Sequence, residues 1–473
     1  MRELLPSLLH GWGRTAPSSG SIANVPGTDR AGLAEIVRAL PARGGIARGL
    51  GRSYGDSAQN GGGVALKLGA DDSADEPAIV IDHTQGTVTA AAGVSFDELL
   101  RASVPAGYFV PVTPGTRFVT IGGAIASDIH GKNHHVDGTF GRHVRQITMM
   151  LADGSVVETG PGRDPDLFWA TVGGMGLTGV ILRATFAMLP IETSRCTVDT
   201  ERAGDLDELM ALMADDDSYR YSVAWIDLMA RGSSLGRSVL TRGDHARVEE
   251  LAPRQAAFPL HYRASHLGSV PPLIPPKGLL NHATVAAFNE FWFRKAPKRR
   301  IGQIVSIPNF FHPLDAVGHW NRLYGRRGFL QYQFVMPFGQ EAALRHVVER
   351  LADSGTTSFL AVLKRFGEAN QAPLSFPKPG WTLALDVPGA ASGLVELLAE
   401  LDDVVLDAGG RHYLAKDAAT TPEAIRRGYP RLAEWQAIRD RVDPHHRWAS
   451  DQSRRLRLTD RIATTLESGV TAS

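Results

Sequence analysis

Residues 121–135, IGGAIASDIHGKNHH, place three histidines, one lysine and one aspartate beside three glycines. Imidazole groups this close together could hold a metal ion, and His130, His134 and His135 are the candidate ligands. Their spacing is not the HExxH spacing of metalloproteases, and no acidic residue follows at a suitable distance. The two adjacent glycines lack Cβ atoms, so their N–H groups can approach a phosphate closely. We therefore predict a phosphate-bearing ligand here and no metal site.

Three further glycine-rich stretches occur nearby: ARGLGRSYGDSAQNGGG at 47–63, PGT at 114–116 and TVGGMGLTGV at 171–180. None of them is a Walker loop or a GxGxxG dinucleotide motif. Each one alone could be a hairpin turn or a helix cap. Four such stretches in one region favour a long, phosphate-bearing cofactor that crosses several loops.

The elements that must position these loops are short helices and strands. The segment 28–40, TDRAGLAEIVRAL, has helical spacing with a Thr or Asp cap, and Ser95 and Glu98 have the spacing of a capping box. The segment 78–93 predicts two strands around a turn, and 143–160 predicts a strand, an Asp-Gly turn and a strand. This mixture indicates an α+β region.

The pattern changes after about residue 190. Strand-like runs occur at 222–229 and 328–337, and helical spacing returns at 421–442. The segment 266–280, HLGSVPPLIPPKGLL, contains four prolines and two glycines and is predicted to be a loop. Its apolar residues make it a candidate lid or membrane contact, and a plain surface connector is the alternative.

The composition excludes several classes of protein. The 473 residues suffice for two or three domains, and 50 Lys+Arg balance 50 Asp+Glu, which argues against a nucleic-acid-binding protein. A single cysteine, Cys196, excludes an internal disulfide and a Cys-based zinc site. The first twenty residues lack the apolar core of a signal peptide, and no stretch approaches the roughly 20 apolar residues of a membrane helix. We expect a chain made in soluble form.

Four segments together resemble the vanillyl-alcohol-oxidase type of FAD flavoproteins: ARGLGRSYGD, PGTRFVTIGGAIASDIHGKNHH, LFWATVGGMGLTGV and the distant YLAKD. The similarity covers nearly the whole chain, and HGKNHH, FLQYQFV and NQAPLSFP are its most specific parts. It implies an α+β fold in which residues 1–194 and 411–473 form a two-lobed FAD-binding domain. An α+β substrate-binding domain, residues 195–410, would be inserted between them.

The resemblance also implies one cofactor, FAD, and the residues that hold it. These are Ala47, Arg48, Gly49, Gly51, Arg52, Ser53, Tyr54, Gly55, Asp56, Gly115, Thr120, Ile121, Gly122, Gly123, Ser127, Asp128, Ile129, His130, Ile181 and Tyr413. Many relatives have a histidine in the GRSYGD segment that bonds covalently to the flavin. Tyr54 stands there in this chain, and we therefore predict non-covalent FAD. His134 and His135 are assigned a structural role.

The resemblance assigns the proton chemistry of an alcohol oxidation to Lys416, in YLAKD, and to His130. Lys416 could act as a neutral base or as an ammonium group that stabilises an alkoxide. The predicted substrate contacts are Lys132, Trp225, Gln333, Lys364, Phe366, Thr382 and Ala384. The last two stand where the family often has Asn and Cys.

The activity implied is FAD-dependent oxidation of the 2′-hydroxyl of polyprenylphosphoryl-β-D-ribose to the 2′-keto intermediate. This is the first half of an epimerisation that makes the arabinose donor for cell-wall arabinan. It further implies an NAD-dependent keto-reductase as partner. Because the sequence shows neither a signal peptide nor a membrane-spanning stretch, we expect peripheral association with the cytoplasmic membrane. The alternatives are an oxidase of a soluble alditol, aldonolactone or other sugar, and a flavoprotein without catalytic activity.

Overall fold

The computed structural model of the chain describes residues 4–71, 73, 76–214, 218–264, 266–276 and 278–460. Within them, three sheets of four, five and eight strands are packed with helices, which confirms the α+β class. No helix in this part of the chain is both long and apolar enough to cross a bilayer.

The first sheet carries the loop that begins at residue 47. Its strands follow the order β1-β2-β4-β3, with β2 and β3 parallel to β4. The bounds are β1 (Leu5–Leu9), β2 (Ser18–Val25), β3 (Gly45–Ala47) and β4 (Val64–Leu68). Helix α1 (Arg30–Arg38) connects β2 to β3, and the side chain of Asp29 caps it by accepting from Gly32 N–H. The predicted helix is thus confirmed.

The second sheet is antiparallel, with the order β5-β6-β10-β8-β9. Its strands are β5 (Ile79–Asp82), β6 (Thr87–Ala91), β8 (Val144–Met150), β9 (Val156–Thr159) and β10 (Val180–Ala187). Gly86 and Gly154 turn the two predicted hairpins with positive φ angles of 60° and 83°. The short strands β7 (Tyr108–Phe109) and β11 (Leu189–Pro190) pair separately.

Three helices pack against this second sheet: α2 (Phe96–Ser103), α3 (Ile121–Ala126) and α5 (Pro165–Thr171). The short helix α4 (His134–Asp137) lies between α3 and β8 in the chain and contacts the third sheet instead. Ser95 and Glu98 form the predicted capping box on α2. Thr120 caps α3 by accepting from Gly123 N–H. Helix α3 therefore begins at the candidate phosphate segment.

The third sheet is antiparallel throughout, with the order β16-β12-β14-β13-β19-β20-β18-β21. Its strands are β12 (Arg195–Ala203), β13 (Tyr221–Ile226), β14 (Ser238–His245), β16 (Arg299–Ser306), β18 (Phe329–Met336), β19 (Ala361–Phe366), β20 (Gly380–Pro388) and β21 (Arg411–His412). The pair β15 (Gly268–Ser269) and β17 (Val317–Gly318) is parallel and separate. The accompanying helices are α6 (Leu206–Ala214), α7 (Pro253–Ala256), α8 (His282–Lys295), α9 (Ile307–Phe311), α10 (Glu341–Asp353) and α11 (Leu394–Asp407).

The C-terminal region returns to the first sheet. Its helices are α12 (Pro422–Gly428), α13 (Leu432–Val442) and α14 (Asp451–Arg455). The continuous helical spacing at 421–442 becomes two helices because Pro430 removes a backbone donor and disfavours helix at the preceding residue. Trp448 bridges to Gly45, and Arg455 binds Asp56. These contacts fit the division at residues 194 and 410, which stays a prediction; residues 461–473 lie outside the described part.

Candidate active site

A single cavity of about 770 Å³ brings the predicted segments together. Its wall is formed by the loops of the first two sheets and by side chains of the third sheet. A volume of this size accommodates a large organic ligand, since ligand pockets typically measure roughly 300–1,000 Å³. Segments that are distant in sequence therefore share one ligand-sized space.

All four glycine-rich stretches reach this cavity. The predicted cofactor residues on its wall are Ala47, Arg48, Gly49, Gly51, Arg52, Ser53, Tyr54, Gly115, Thr120, Gly122, Gly123, Ser127, Ile129, His130, Ile181 and Tyr413. Gly176 and Gly179 of the third stretch line it as well. Glycines from several loops thus line one cavity. Because they have no side chains, their backbone N–H groups can closely approach a long diphosphate-bearing group. The residues present therefore fit FAD.

The predicted substrate and catalytic residues lie on the same wall with few exceptions. Those that line the cavity are Lys132, Trp225, Gln333, Lys364, Ala384 and Lys416. Aromatic side chains that the sequence did not single out add an apolar part: Trp12, Phe288, Trp292, Trp320 and Phe359. The cavity therefore combines glycine backbone, a group of amines around His130, and an aromatic wall.

Six of the predicted site residues do not line the cavity, because they pack against the protein interior or bind other residues. Ile121 and Phe366 are core side chains, and Asp56 is bound to Arg455. The others are Gly55, Asp128 and Thr382. Each of the six supports a cavity residue without facing the ligand space.

Asp128 illustrates this supporting role. Its buried carboxylate accepts from Ser375 Oγ and Asn370 Nδ2 at 2.6 Å each, and from the backbone of Gly141 at 3.0 Å. Burial raises the pKa of this carboxyl, and the hydrogen bonds oppose that rise. The loop that carries His130 is thus anchored from behind.

Gly55 is required by close packing and not by a ligand. A Cβ atom added there would collide with the backbone carbonyl of Asp417, whereas one added at Gly115 meets nothing within 4 Å. We expect Gly55→Ala to lower the free energy of unfolding by about 1–3 kcal/mol, and Gly115→Ala to leave it unchanged. Urea unfolding of the FAD-free proteins measures both. Equal stability of the two variants would contradict this assignment.

Lys416 is partly buried at the wall, with Nζ 4.0 Å from the centre of the Tyr54 ring. Burial lowers the pKa of Lys416 to about 7; the charge of Asp386 opposes this shift, and that of Lys364 adds to it. Burial likewise raises the pKa of Asp386 to about 7. Gln331 donates a hydrogen bond to that carboxyl. The amine is therefore poised to exchange a proton near neutral pH.

His130 stands in a hydrogen-bonded chain that determines its tautomer. Thr382 Oγ1 donates to Phe334 O at 2.8 Å and accepts from Gln333 Nε2 at 3.1 Å. This orients the Gln333 amide so that its NH2 group also faces His130 Nε2, 3.0 Å away. Since burial lowers the pKa of His130 well below its usual value, the ring is neutral. Its Nε2 accepts, and its proton lies on Nδ1.

Lys364 faces that Nδ1–H group, with Nζ at 3.5 Å. An Nδ1–H donor needs an acceptor, and only the neutral amine of Lys364 can accept. Burial lowers the pKa of Lys364 to about 8, which makes the neutral form accessible near neutral pH, and the Nδ1–H donor of His130 favours that form. The chain from Thr382 to Lys364 therefore links the tautomer of His130 to the protonation of a second amine.

We expect Thr382→Val to reverse the direction of the hydrogen bonds from Gln333 through His130 to Lys364. Without the hydroxyl acceptor, the Gln333 amide can rotate and present its oxygen to His130, which moves the ring proton to Nε2. The ammonium form of Lys364 can then donate to Nδ1, and its pKa should rise by about one unit. Ring ¹⁵N chemical shifts of His130 report the tautomer. Thr382→Ser retains the hydroxyl and should match the wild type; an unchanged tautomer in Thr382→Val would contradict the chain.

Lys132 is also partly buried at the cavity wall. Its Nζ donates to Phe310 O and lies 4.1 Å from the centre of the Phe310 ring. Burial lowers its pKa to about 7. A phosphate group in the cavity would restore the charged form, which is consistent with the predicted role of Lys132 as a substrate contact.

Sequence reasoning missed Asp386. The residue is fully buried on β20, among the apolar side chains of WTLALDVP. A lone carboxylate inside an apolar strand is a detectable signal, because a buried charge needs a specific partner.

Within the described residues no group of three or more His, Cys, Asp or Glu side chains could hold a metal ion.

Comparison with known proteins agrees with this site. A family profile described as an FAD-binding domain matches residues 25–160, and one described as D-arabinono-1,4-lactone oxidase matches residues 341–456. The chain is 46% identical to decaprenylphosphoryl-β-D-ribose oxidase of Mycolicibacterium smegmatis, over 95% of this chain and 97% of that protein. The chain belongs to the decaprenylphosphoryl-β-D-ribose oxidase family.

More distant relatives share less of the chain. An uncharacterised protein of Streptomyces coelicolor is 40% identical over 77% of this chain and all of its own length. Alditol oxidase of a Streptomyces species is 30% identical over 33% of this chain and 36% of its own. The chain is accordingly an FAD-dependent oxidoreductase, and FAD is its cofactor.

Proposed function

We propose that this chain oxidises the 2′-hydroxyl of a polyprenylphosphoryl-β-D-ribose to the 2′-ketone. The observation that carries the proposal is the composition of one cavity wall: glycine backbone, buried amines around His130, and aromatic side chains. The similarity to a relative named for a lipid-linked ribose supports the substrate class. Bound FAD supplies a hydride acceptor for an alcohol carbon.

The side chains of this protein would handle the proton of the hydroxyl group. Lys416 has a pKa lowered to about 7 by burial and can accept that proton at neutral pH. His130 is neutral and held between Gln333 and Lys364, which occupy both of its ring nitrogens, so its role would be to position Lys364 beside the reacting hydroxyl. Lys132 would bind the phosphate, and the aromatic wall would exclude water from the reacting carbon.

The decisive experiment is anaerobic absorbance of the flavin band before and after addition of polyprenylphosphoryl-ribose in detergent. Bleaching by this lipid, and not by free alditols or aldonolactones, is the expected result. Bleaching by polyols or lactones alone would favour an oxidase of soluble sugars, which the lactone-oxidase match and the alditol oxidase relative make the second candidate. FAD-loaded protein that no sugar bleaches would indicate a flavoprotein without this activity.

The proposal includes two partners. A 2′-keto product must be reduced to reach arabinose, so a separate NAD-dependent keto-reductase would consume it. A polyprenyl substrate resides in a bilayer, so the chain would associate peripherally with the cytoplasmic membrane. Co-purification from membranes after a high-salt wash, compared with a low-salt wash, tests that association.

We expect the FAD to be non-covalent. The Tyr54 phenol is partly buried and packs edge-on against Phe329, with ring centres 5.4 Å apart. Burial raises its pKa well above 10, so it stays un-ionised and unreactive. Acid precipitation should release the yellow colour into the supernatant, and neutral guanidinium unfolding followed by filtration serves as the control. Colour that remains with the precipitated protein in both treatments would refute the prediction.

A further inference from the structure

A basic and apolar surface lies beside the aromatic part of the cavity wall. Its cations belong to the run RKAPKRR, which places five Lys or Arg among the seven residues 294–300. Its exposed apolar side chains are Leu267, Leu273 and Phe291, which are 81%, 92% and 59% exposed. We call residues 294–300 and these three side chains the docking surface.

The three apolar side chains of the docking surface, Leu267, Leu273 and Phe291, come from two elements held at the cavity wall. Leu267 N–H donates to Ala316 O at 2.7 Å, next to β17, whose two residues line the cavity. Phe291 precedes Trp292 on α8, and Trp292 lines the cavity and stacks on Phe288 with ring centres 6.0 Å apart. The exposed apolar groups therefore continue the aromatic wall outward to solvent.

The charge of this surface is strongly one-sided. Arg294 contacts Glu290, and Arg299 lies 3.8 Å from Glu201. Both carboxylates are shared with further arginines, Arg237 and Arg242, so they do not neutralise the run. The whole chain has no net charge, yet residues 261–300 contain seven Lys or Arg and one Glu. A local cationic excess beside exposed apolar side chains is the chemistry that binds an anionic lipid surface.

We propose that the docking surface binds an anionic lipid bilayer and holds the cavity opening against the membrane. The inference rests on the proposed lipid-linked substrate, because it gives the prenyl chain a path from the bilayer to the aromatic wall without crossing water. The cations contact lipid phosphates, and Leu267, Leu273 and Phe291 enter the interface between headgroups and acyl chains. Attachment of this kind needs no membrane-spanning helix.

The test is co-sedimentation of the full-length, FAD-loaded protein with lipid vesicles. We expect binding to vesicles that contain phosphatidylglycerol, weaker binding to pure phosphatidylcholine, and partial release by 1 M salt, since charge and apolar contacts both contribute. The double variant Lys298→Gln/Arg300→Gln should lower the affinity for anionic vesicles roughly tenfold or more. Leu273→Ser/Phe291→Ser should lower the affinity for both vesicle types.

Matched variants elsewhere on the surface provide the control. Val395 is 72% exposed on α11, and Arg247 is exposed beside β14. Val395→Ser and Arg247→Gln should bind vesicles as the wild type does. Equal binding of wild type to both vesicle types, or an equal loss in the controls, would overturn the proposal. Self-association of the free protein that the docking-surface variants abolish, without vesicle binding, would indicate a second copy as the partner instead.

Flavin reduction in detergent separates this inference from the proposed function. The docking-surface variants should reduce their flavin with detergent-dispersed polyprenylphosphoryl-ribose at the wild-type rate, because detergent replaces the bilayer. Normal reduction without vesicle binding would refute the docking surface and leave the proposed function intact. Vesicle binding without flavin reduction by the lipid would refute the proposed function and leave the docking surface intact.

Discussion

Lys416→Met is expected to slow flavin reduction by the sugar substrate by about 10²- to 10⁴-fold, the usual contribution of a positioned acid or base. Methionine has a similar length and is apolar, so it fills the buried space beside Tyr54 without an amine. FAD content and thermal stability should stay close to those of the wild type. Anaerobic stopped-flow absorbance of the flavin band measures the rate.

A matched lysine gives the control for this variant. Lys67 is exposed on β4 and does not line the cavity, so Lys67→Met should reduce its flavin at the wild-type rate. A Lys416→Met protein that binds FAD and is reduced at the wild-type rate would exclude Lys416 from the proton transfer. Lys364, the second amine at the cavity wall, would then be the remaining candidate for the base.

Asp386→Asn is expected to shift the pH dependence of flavin reduction to lower pH. The carboxylate of Asp386 raises the pKa of Lys416 by its charge, whereas burial lowers it. Removing that negative charge leaves burial unopposed, so the pKa of Lys416 should fall by about one unit below its value near 7. Asparagine keeps one side-chain oxygen that can accept from Gln331, and its NH2 group can donate to the Tyr324 hydroxyl.

The direction of change in rate distinguishes the two roles of Lys416. If the neutral amine accepts the hydroxyl proton, the rate rises with pH through the pKa of Lys416, and this rise occurs at lower pH in Asp386→Asn. If the ammonium group stabilises an alkoxide, the rate falls with pH, and that fall moves to lower pH instead. We expect the first result. A pH profile identical to that of the wild type would show that the charge of Asp386 does not affect the pKa of Lys416.

Local sequence patterns predicted much of the framework. Hairpin turns need positive φ angles that glycine adopts easily, so Gly86 and Gly154 marked their turns in advance. The capping box of Ser95 and Glu98 joins residues three apart, and its hydrogen bonds follow from that spacing alone. Pro430 broke the predicted helix at 421–442 by an equally local effect. Patterns of this kind depend on near neighbours and are therefore readable from the chain.

The sequence by itself also determined which chemical groups are available: four glycine-rich stretches, the amines Lys132, Lys364 and Lys416, the imidazole of His130, and a single cysteine. Only the tertiary structure decided which of these residues share a wall, and it turned Gly55, Asp128 and Thr382 away from the ligand space. It also decided their protonation, since the pKa of Lys416 depends on burial and on Asp386, thirty residues away. The physical reason is that burial and Coulombic interactions depend on distances in space, which the spacing along a chain does not specify.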